Sequence, residues 1–493
     1  MVTRGLTFLT APRSFPRLLV VLAALGYAAF IYFEGSPFAA GSDSSGYLNS
    51  ARLLAAGKFT TSVNSLPQLT PPDWHYYWQE PLGFTAQHLT PRMAPTYPTG
   101  LPLHLVLAAP IVGWEKAARL VNVLNVLAAA ALLYALARHL ALSRAWALSG
   151  VAFLWASPLF IFQSLQPLSD ALALTWSLAA ILCALKSRQH GPWAIAAGAA
   201  LAIAILVRPT SVLIALPLSL ALPFSGRRWL ATALGTAPGL AWFLYYNTQA
   251  YGSAFTTGYG DVSTAFHSRF IIGNLAHFTC WVPLLVSLPL TCAAAFLPWR
   301  RPTFTPPRTF IILATWIGVL AVFYAPYFCA GSIWSEVRFL LPGFPAVILA
   351  GLLVAQSWRP APSWWLLVLC LSGQGLLTHQ LRVTGIREQE RAYRVATRWL
   401  ETHVAPGSVL LTAQLSGAAH YYNDLNLVRW DIFPPHHLPQ LRAAAAKAQR
   451  EIYAALFIPE ISAAHSALPE ARWEQIGETP GVKFFRLLPY ASR

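Results

Sequence analysis

Charge is scarce in this chain of 493 residues: 11% of positions carry it, against about 25% in soluble domains. With 56% hydrophobic and 13% aromatic residues and a mean hydropathy of +0.49, a water-soluble multidomain enzyme is excluded and a membrane protein is predicted. Acids are the scarcer sign, 18 against 34 basic residues, for a net charge of +16. In a soluble chain that excess would suggest nucleic acid. Here its distribution follows membrane topology, and no nucleic-acid partner is expected. The five cysteines (Cys183, Cys280, Cys292, Cys329, Cys370) lie in or beside apolar runs, which excludes a disulfide framework and zinc-ligand spacing. There is no internal repeat, low-complexity tract or heptad array. Lysine is rare as well, five of the 34 basic residues, and abundant Ala and Arg point to a GC-rich bacterial genome.

What the chain has instead is apolar length. A membrane-spanning helix needs about 20 apolar residues. Runs of that type are predicted near 17–33, 117–137, 146–162, 168–185, 193–207, 210–224, 229–246, 278–297, 309–329, 339–356 and 363–380, about 11 transmembrane helices in all. The first run follows Arg4, Arg13 and Arg17, but no small-x-small site succeeds it, so it reads as a span and not a cleaved signal. The apolar segment 101–113 is too short to cross and predicts a re-entrant or interfacial helix.

With the N-terminus placed in the cytoplasm, the inner loops hold Arg4, Arg13, Arg17, Arg138, Arg144, Lys186, Arg188, Arg227, Arg228, Arg300, Arg301, Arg308 and Arg359 and no acid. Glu34, Asp43, Asp73, Glu80, Glu115, Asp170, Asp261 and Glu336 fall on the opposite side. The basic bias sets orientation; the segregation of acids is not required by it, and suggests that the outer face uses carboxylates. An odd number of spans then places the tail outside, in a bacterial cytoplasmic (inner) membrane. The expected organisation is a transmembrane domain over 1–382, with a large first outer loop at 34–116, and a soluble extracytoplasmic domain over 383–493. That tail holds 12 basic and 10 acidic residues and no long apolar run. Helix-like stretches at 386–404 and 435–450 alternate with strand-like runs at 409–413, 452–458 and 483–488, which predicts a small α/β layer.

The 34–116 loop is the largest irregular insertion among the spans, and long loops in compact proteins are usually functional. It opens with GSDSSGYLNSARLLAAG, 41–57, a helix capped by Asp43 or Ser44 and stopped by Gly57. It continues with PPDWHYYWQEPLGF and PRMAPTYPTGLPLHL. Trp74, Tyr76, Tyr77 and Trp78 read as interface anchors or as platforms for a sugar ring. Asp170, Arg208 and Arg338 stand at predicted outer ends of spans, where an ionisable residue is costly and therefore a functional candidate. The bland readings are snorkelling for Arg208 and a Glu336–Arg338 ion pair. The patch HYYNDLNLVRWD, 420–431, mixes aromatic and polar groups, and reads as a strand with a turn or as a carbohydrate surface.

Taken in order, GSDSSGYLNSARLLAAG, PTYPTGLPL, ARLVNVLNVLAAAALLYALARHL, SPLFIFQSLQPLSDALAL, ILVRPTS, YGSAFTTGY and EVRFLLPGFPAVILAG resemble the GT-C glycosyltransferase superfamily, most of all its dolichyl-phosphate-mannose protein mannosyltransferase and aminoarabinose transferase group. The resemblance spans roughly residues 17–360. It implies a polytopic α-helical enzyme that takes a sugar from a polyprenyl-phosphate donor and transfers it outside the cytoplasmic membrane; the resemblance does not choose between a lipid, glycan or protein acceptor. The family's catalytic carboxylate in the first outer loop corresponds to Asp43. Where the family often has a second adjacent acid, this chain has Ser44, and it has no D-x-D, so no metal cofactor is expected. The protein mannosyltransferase β-trefoil is absent too, so a protein acceptor is not implied.

The physical requirements agree with that assignment. A base must take the acceptor hydroxyl proton, and Asp43 is the candidate. The departing phosphate needs guanidinium donors, for which Arg208, Arg269 and Arg338 are available. The expected donor site comprises Tyr47, Arg92, Tyr97, Asp170, Arg208, Tyr259, Arg269, Glu336 and Arg338. The main rival is a polytopic transporter or lipid flippase with an extracytoplasmic binding domain. It is disfavoured by the lack of mid-span charge and of a repeat.

Overall fold

A computed structural model describes residues 15–87, 89–297, 299 and 306–488, with side chains from Leu18 onward. Arg4, Arg13, Arg300 and Arg301 lie outside the described residues, as does the side chain of Arg17.

Helix α1 (Phe15–Glu34) leads into the long first loop, which holds α2 (Asp43–Ala55), β1 (Thr61–Ser62), β2 (Phe84–Ala86), β3 (Arg92–Pro95) and α3 (Gly100–Val112). The helical body continues with α4 (Trp114–His139), α5 (Arg144–Ala156), α6 (Pro158–Ser164), α7 (Asp170–Lys186), α8 (Trp193–Val207), α9 (Ala215–Ala221) and α10 (Gly226–Tyr251). It ends with α11 (Ile271–Val286), α12 (Leu288–Ala295), α13 (Pro307–Tyr324), α14 (Phe344–Trp358) and α15 (Trp364–Gln380).

Every apolar run seen in the sequence falls on one of these helices or a pair of them, except that 210–224 and 339–356 begin in the 3₁₀ segments Pro209–Ile214 and Trp334–Gly343. The run at 146–162 is a pair, α5 and α6, bent by 63°. Proline disfavours helix in the residue before it, so Ser157 turns extended and Pro158 starts a new helix whose Phe160 N–H is capped by the Ser157 hydroxyl. The run at 278–297 begins earlier than expected, at Ile271, and breaks at Ser287. A 3₁₀ turn, Trp334–Gly343, precedes α14. By length and composition, four helices among the described residues are long and apolar enough to cross a membrane, or five with the bent pair. The remaining runs fall on helices that are shorter or, like the 26-residue α10, less apolar, so eleven crossings is a proposal that counts these as spans.

Helices α4 and α7 carry acid at one end and base at the other. Asp170 opens α7 and Lys186 closes it; Glu115 lies in the first turn of α4 and Arg138 in its last. This is the favourable sense of the helix dipole. At the basic end, Arg188 Nε donates to the Ala221 carbonyl at 2.8 Å, and Arg308 donates to those of Leu220 and Leu222 at 2.6 and 2.7 Å, satisfying the open C-terminus of α9. In the tightest helix pair, α8 with α10, Gly198 sits on the Thr232 carbonyl and Gly235 on that of Ile195, so close that a Cβ at either would clash with backbone. Small residues of this kind let helices approach where lipid supplies no hydrophobic drive.

The tail holds α16 (Ile386–His403), β4 (Val409–Leu411), α17 (Ser416–Tyr422), β5 (Asn426–Val428), α18 (Leu438–Lys447), β6 (Ile452–Phe457), α19 (Ile461–Ala467), β7 (Trp473–Thr479) and β8 (Val482–Leu487). Its sheet runs β5-β4-β6-β8-β7. Strand β4 pairs in parallel with β5 and β6, while β8 is antiparallel to β6 and β7. The first loop adds a small antiparallel sheet, β1-β3-β2, and shares a core with the tail: Trp74, Trp78 and Met93 pack with Val409, Leu411 and Phe433. Trp74 and Trp78 are thus fully buried and are neither membrane anchors nor sugar platforms. Their rings meet Phe433 at 5.7 Å. The 420–431 patch is likewise internal at Tyr421 and Trp430.

Candidate active site

The site forms where the first loop, the acidic helix ends and the tail come together. Helix α2 begins at Asp43, and its Gly46 lies directly under the Tyr97 ring, where any Cβ would collide. That contact lets the Tyr97 hydroxyl donate to Asp43 Oδ1 at 2.5 Å while Ser42 Oγ lies 2.7 Å from the same hydroxyl. Arg338, in the 3₁₀ turn before α14, donates through Nη1 to Asp43 Oδ2 at 2.7 Å and through Nε to Glu336 Oε2 at 3.2 Å. Both Asp43 oxygens are therefore engaged, yet the side chain keeps 31% of its exposure, and an ionised carboxylate has about four acceptor positions.

Beside this group lies a second ion pair, Arg208 with Asp170. Asp170 is 2% exposed. Because α7 and α8 are antiparallel neighbours, the first residue of α7 meets the residue that ends α8. The two guanidiniums share one ring: Arg208 Cζ is 5.0 Å and Arg338 Cζ 5.5 Å from the centroid of Phe339. The Tyr47 hydroxyl donates to Ser169 Oγ at 2.8 Å, next to Asp170. Its ring meets that of Tyr97 at 4.9 Å, and Tyr97 meets Tyr259 at 6.0 Å. Burial, with Asp43 beside it, holds the Tyr97 phenol well above the ordinary tyrosine range, so it remains a donor.

Of the residues singled out in the sequence, Asp43, Tyr47, Tyr97, Asp170, Arg208, Tyr259, Glu336 and Arg338 fall in this cluster. Arg92 and Arg269 do not join it in the structure. Arg92 is exposed on β3 and donates to the Gln249 carbonyl at the end of α10. Arg269 is exposed in the 3₁₀ turn Ser268–Phe270, its guanidinium 4.7 Å from the Phe270 ring centroid.

A cavity of about 470 Å³ opens beside Asp43. Its wall includes Glu336 and Arg338, Gln163 and Gln166 near the end of α6, and Gln389, Glu390 and Tyr393 of α16. Sequence reasoning missed Ser42, Ser169, Gln163 and Glu390. Gln163 is a lone amide in an apolar run, which is a signal; Glu390 sits among the charges of IREQERAYR and has none. Among the described residues no three His, Cys, Asp or Glu side chains form a metal-sized group.

A family model of dolichyl-phosphate-mannose-protein mannosyltransferases matches residues 103–248, from α3 into α10. No curated protein matches the chain in sequence. Among solved structures, the chain is similar to ArnT from Cupriavidus metallidurans bound to undecaprenyl phosphate, at 14% identity and TM-score 0.57, over 96% of this chain and 98% of that one. The apo state of that protein gives 13%, 0.58 and the same coverage. The arabinofuranosyltransferase AftD from Mycobacteria is similar at 13% identity and TM-score 0.57, over 96% of this chain but 40% of that longer one. At these identities the likeness is one of fold. The family-model match is thus confined to residues 103–248, and over the whole chain the likeness to these solved glycosyltransferases is that of a helical membrane-protein fold.

Proposed function

We propose that the chain is an integral-membrane glycosyltransferase that moves a sugar from a polyprenyl-phosphate donor to an extracytoplasmic acceptor by a single inverting displacement. The observation that carries the reading is the Asp43–Arg338 pair at the mouth of a polar cavity, a carboxylate and a guanidinium 2.7 Å apart on a GT-C-like scaffold. Asp43 takes the proton of the acceptor hydroxyl as its oxygen bonds to the anomeric carbon. The bond from that carbon to the phosphate oxygen breaks on the opposite face, and the polyprenyl phosphate leaves as an anion. No strong general acid is needed for such a leaving group.

Arg338 and Arg208 are the donors for the increasing phosphate charge. A guanidinium has five N–H donors; Arg338 uses Nη1 and Nε on Asp43 and Glu336, so donors remain for phosphate oxygens. Tyr47, Tyr97 and Tyr259 supply a hydroxyl and ring wall for the sugar. Arg92 and Arg269 stay in the proposal only as outer donors, approached by a long lipid-linked substrate. The outer placement of the acidic helix ends and the tail, the bacterial inner membrane and a metal-free reaction belong to the same proposal. The transporter reading is not favoured, since charge gathers at the helix ends.

The test is transfer of radiolabelled sugar from a panel of polyprenyl-phosphate sugars by membranes containing the chain, with lipid, glycan and protein fractions counted separately. Label entering one fraction names the donor and the acceptor class. No transfer from any donor, with no binding of those lipids, rejects the proposal.

A further inference from the structure

The cavity beside Asp43 has a side that the displacement does not use. Gln163 is 1% exposed, and both its amide oxygen and its amide nitrogen lack a hydrogen-bond partner among the described residues. On the same cavity, Glu390 of α16 is 8% exposed with Oε2 unpartnered among the described residues, while Ser36 serves the same carboxyl. Unsatisfied buried polar groups are costly, about 1–3 kcal/mol each, and native proteins keep few of them. Gln163 and Glu390 both line the one cavity, where a ligand would satisfy them.

The chemistry of those groups selects the ligand. An amide both donates and accepts. Burial pushes the Glu390 carboxyl up to about 7, so near neutrality a protonated fraction also donates. Gln166, Gln389, Ser335 and Tyr393 extend the same mixed character around the wall. Sugar hydroxyls, each a donor and an acceptor, match such a wall. An anionic group matches it less well, because Asp43, Glu336 and Glu390 border the space against the one guanidinium of Arg338, which Asp43 and Glu336 already engage. An acyl chain would leave the amides unpaired, and a cavity of about 470 Å³ lies in the range of small-molecule sites.

We propose that Gln163 of α6 and Glu390 of α16 form an acceptor subsite that holds the ring hydroxyls of a saccharide and presents one of them to Asp43. The inference rests on the glycosyltransferase reading and assigns to the tail, through α16, a part in choosing the acceptor.

Direct binding tests it without requiring turnover. Saturation-transfer NMR is recorded on the full chain in nanodiscs with methyl glycosides of glucose, mannose, galactose and arabinose, with empty nanodiscs subtracted. Ring-proton signals are expected for at least one glycoside. Gln163→Leu and Glu390→Ala should each weaken binding about 3- to 10-fold, the loss of one hydrogen bond. Glu390→Gln, which keeps a donor and an acceptor and spares the fold, should retain most of it. Absence of ring-proton transfer from all four glycosides, or signals in Gln163→Leu and Glu390→Ala equal to those of the natural chain, overturns the subsite. Glycoside binding with no sugar transfer from any polyprenyl-phosphate donor would instead reject the glycosyltransferase reading and leave the subsite standing.

Discussion

The Arg338 guanidinium lies 2.7 Å from the Asp43 carboxylate across 295 positions of sequence. The contact joins the start of α2 to the 3₁₀ turn before α14, and so ties the first loop to the last part of the helical body. In the proposed mechanism it sets the base and a phosphate ligand one hydrogen bond apart, so that proton removal and leaving-group stabilisation share one space.

The neighbouring Arg208–Asp170 pair should matter more for stability than for chemistry alone. Arg208→Ala leaves Asp170 buried and uncompensated, and about 3–5 kcal/mol of stability should be lost, read as a fall in melting temperature in detergent. The double variant Asp170→Asn/Arg208→Gln should recover most of that stability. It should not recover transfer, because the phosphate has lost a guanidinium.

Tyr97→Phe removes the 2.5 Å hydrogen bond to Asp43 and leaves the ring packed on Gly46. Hydrogen bonds to charged groups contribute about 1.5–3 kcal/mol, so kcat should fall by roughly 10- to 100-fold. The KM for the donor should stay unchanged in steady-state assays, since Asp43 loses its orientation while the phosphate ligands remain.

Metal removal should have no effect. Asp43 is followed by Ser44 where a second acid would stand, and the account assigns every charge-stabilising role to arginine. Transfer rates measured before and after chelation, with magnesium, manganese and zinc added back, should coincide.

Glu390 gives the pH dependence of the tail's docking. Burial raises its carboxyl from 4.5 to about 7. The folded state therefore binds the proton more tightly than the unfolded one, and the associated stability is fully present below about pH 4.5 and is lost as pH rises through 7. The loss is on the order of 3 kcal/mol when complete. Thermal unfolding followed from pH 5 to 8 should show a decline in the natural chain that is absent in Glu390→Gln.

Much of the helical layout was legible because apolar length is a local signal. The run 193–207 coincides with α8, and 101–113 is offset from α3 by one residue. The breaks were less legible: the 63° bend at Ser157 and Pro158 depends on which helices pack around it. Charges at helix ends were legible too, since Asp170 and Arg208 stand out against apolar neighbours. Their pairing was not, because contact between α7 and α8 is a tertiary fact. Trp74 and Trp78 illustrate the limit in the other direction. An aromatic cluster in a loop beside a membrane reads as exposed, and only the docking of β4 and Phe433 against it shows that it is core. Glu390 was invisible for the same reason, being one acid in a charged helix until α16 is laid over the cavity.

The central claim is that Asp43 removes the acceptor proton, and Asp43→Asn tests it most directly. Membranes with the natural chain, Asp43→Asn, Asp73→Asn or Glu80→Gln are supplied with a labelled polyprenyl-phosphate sugar at saturating concentration. The account predicts that Asp43→Asn alone lowers the transfer rate by about 10²- to 10⁴-fold. Equal transfer by Asp43→Asn and the natural chain would contradict it and move the base to Asp73 or Glu80.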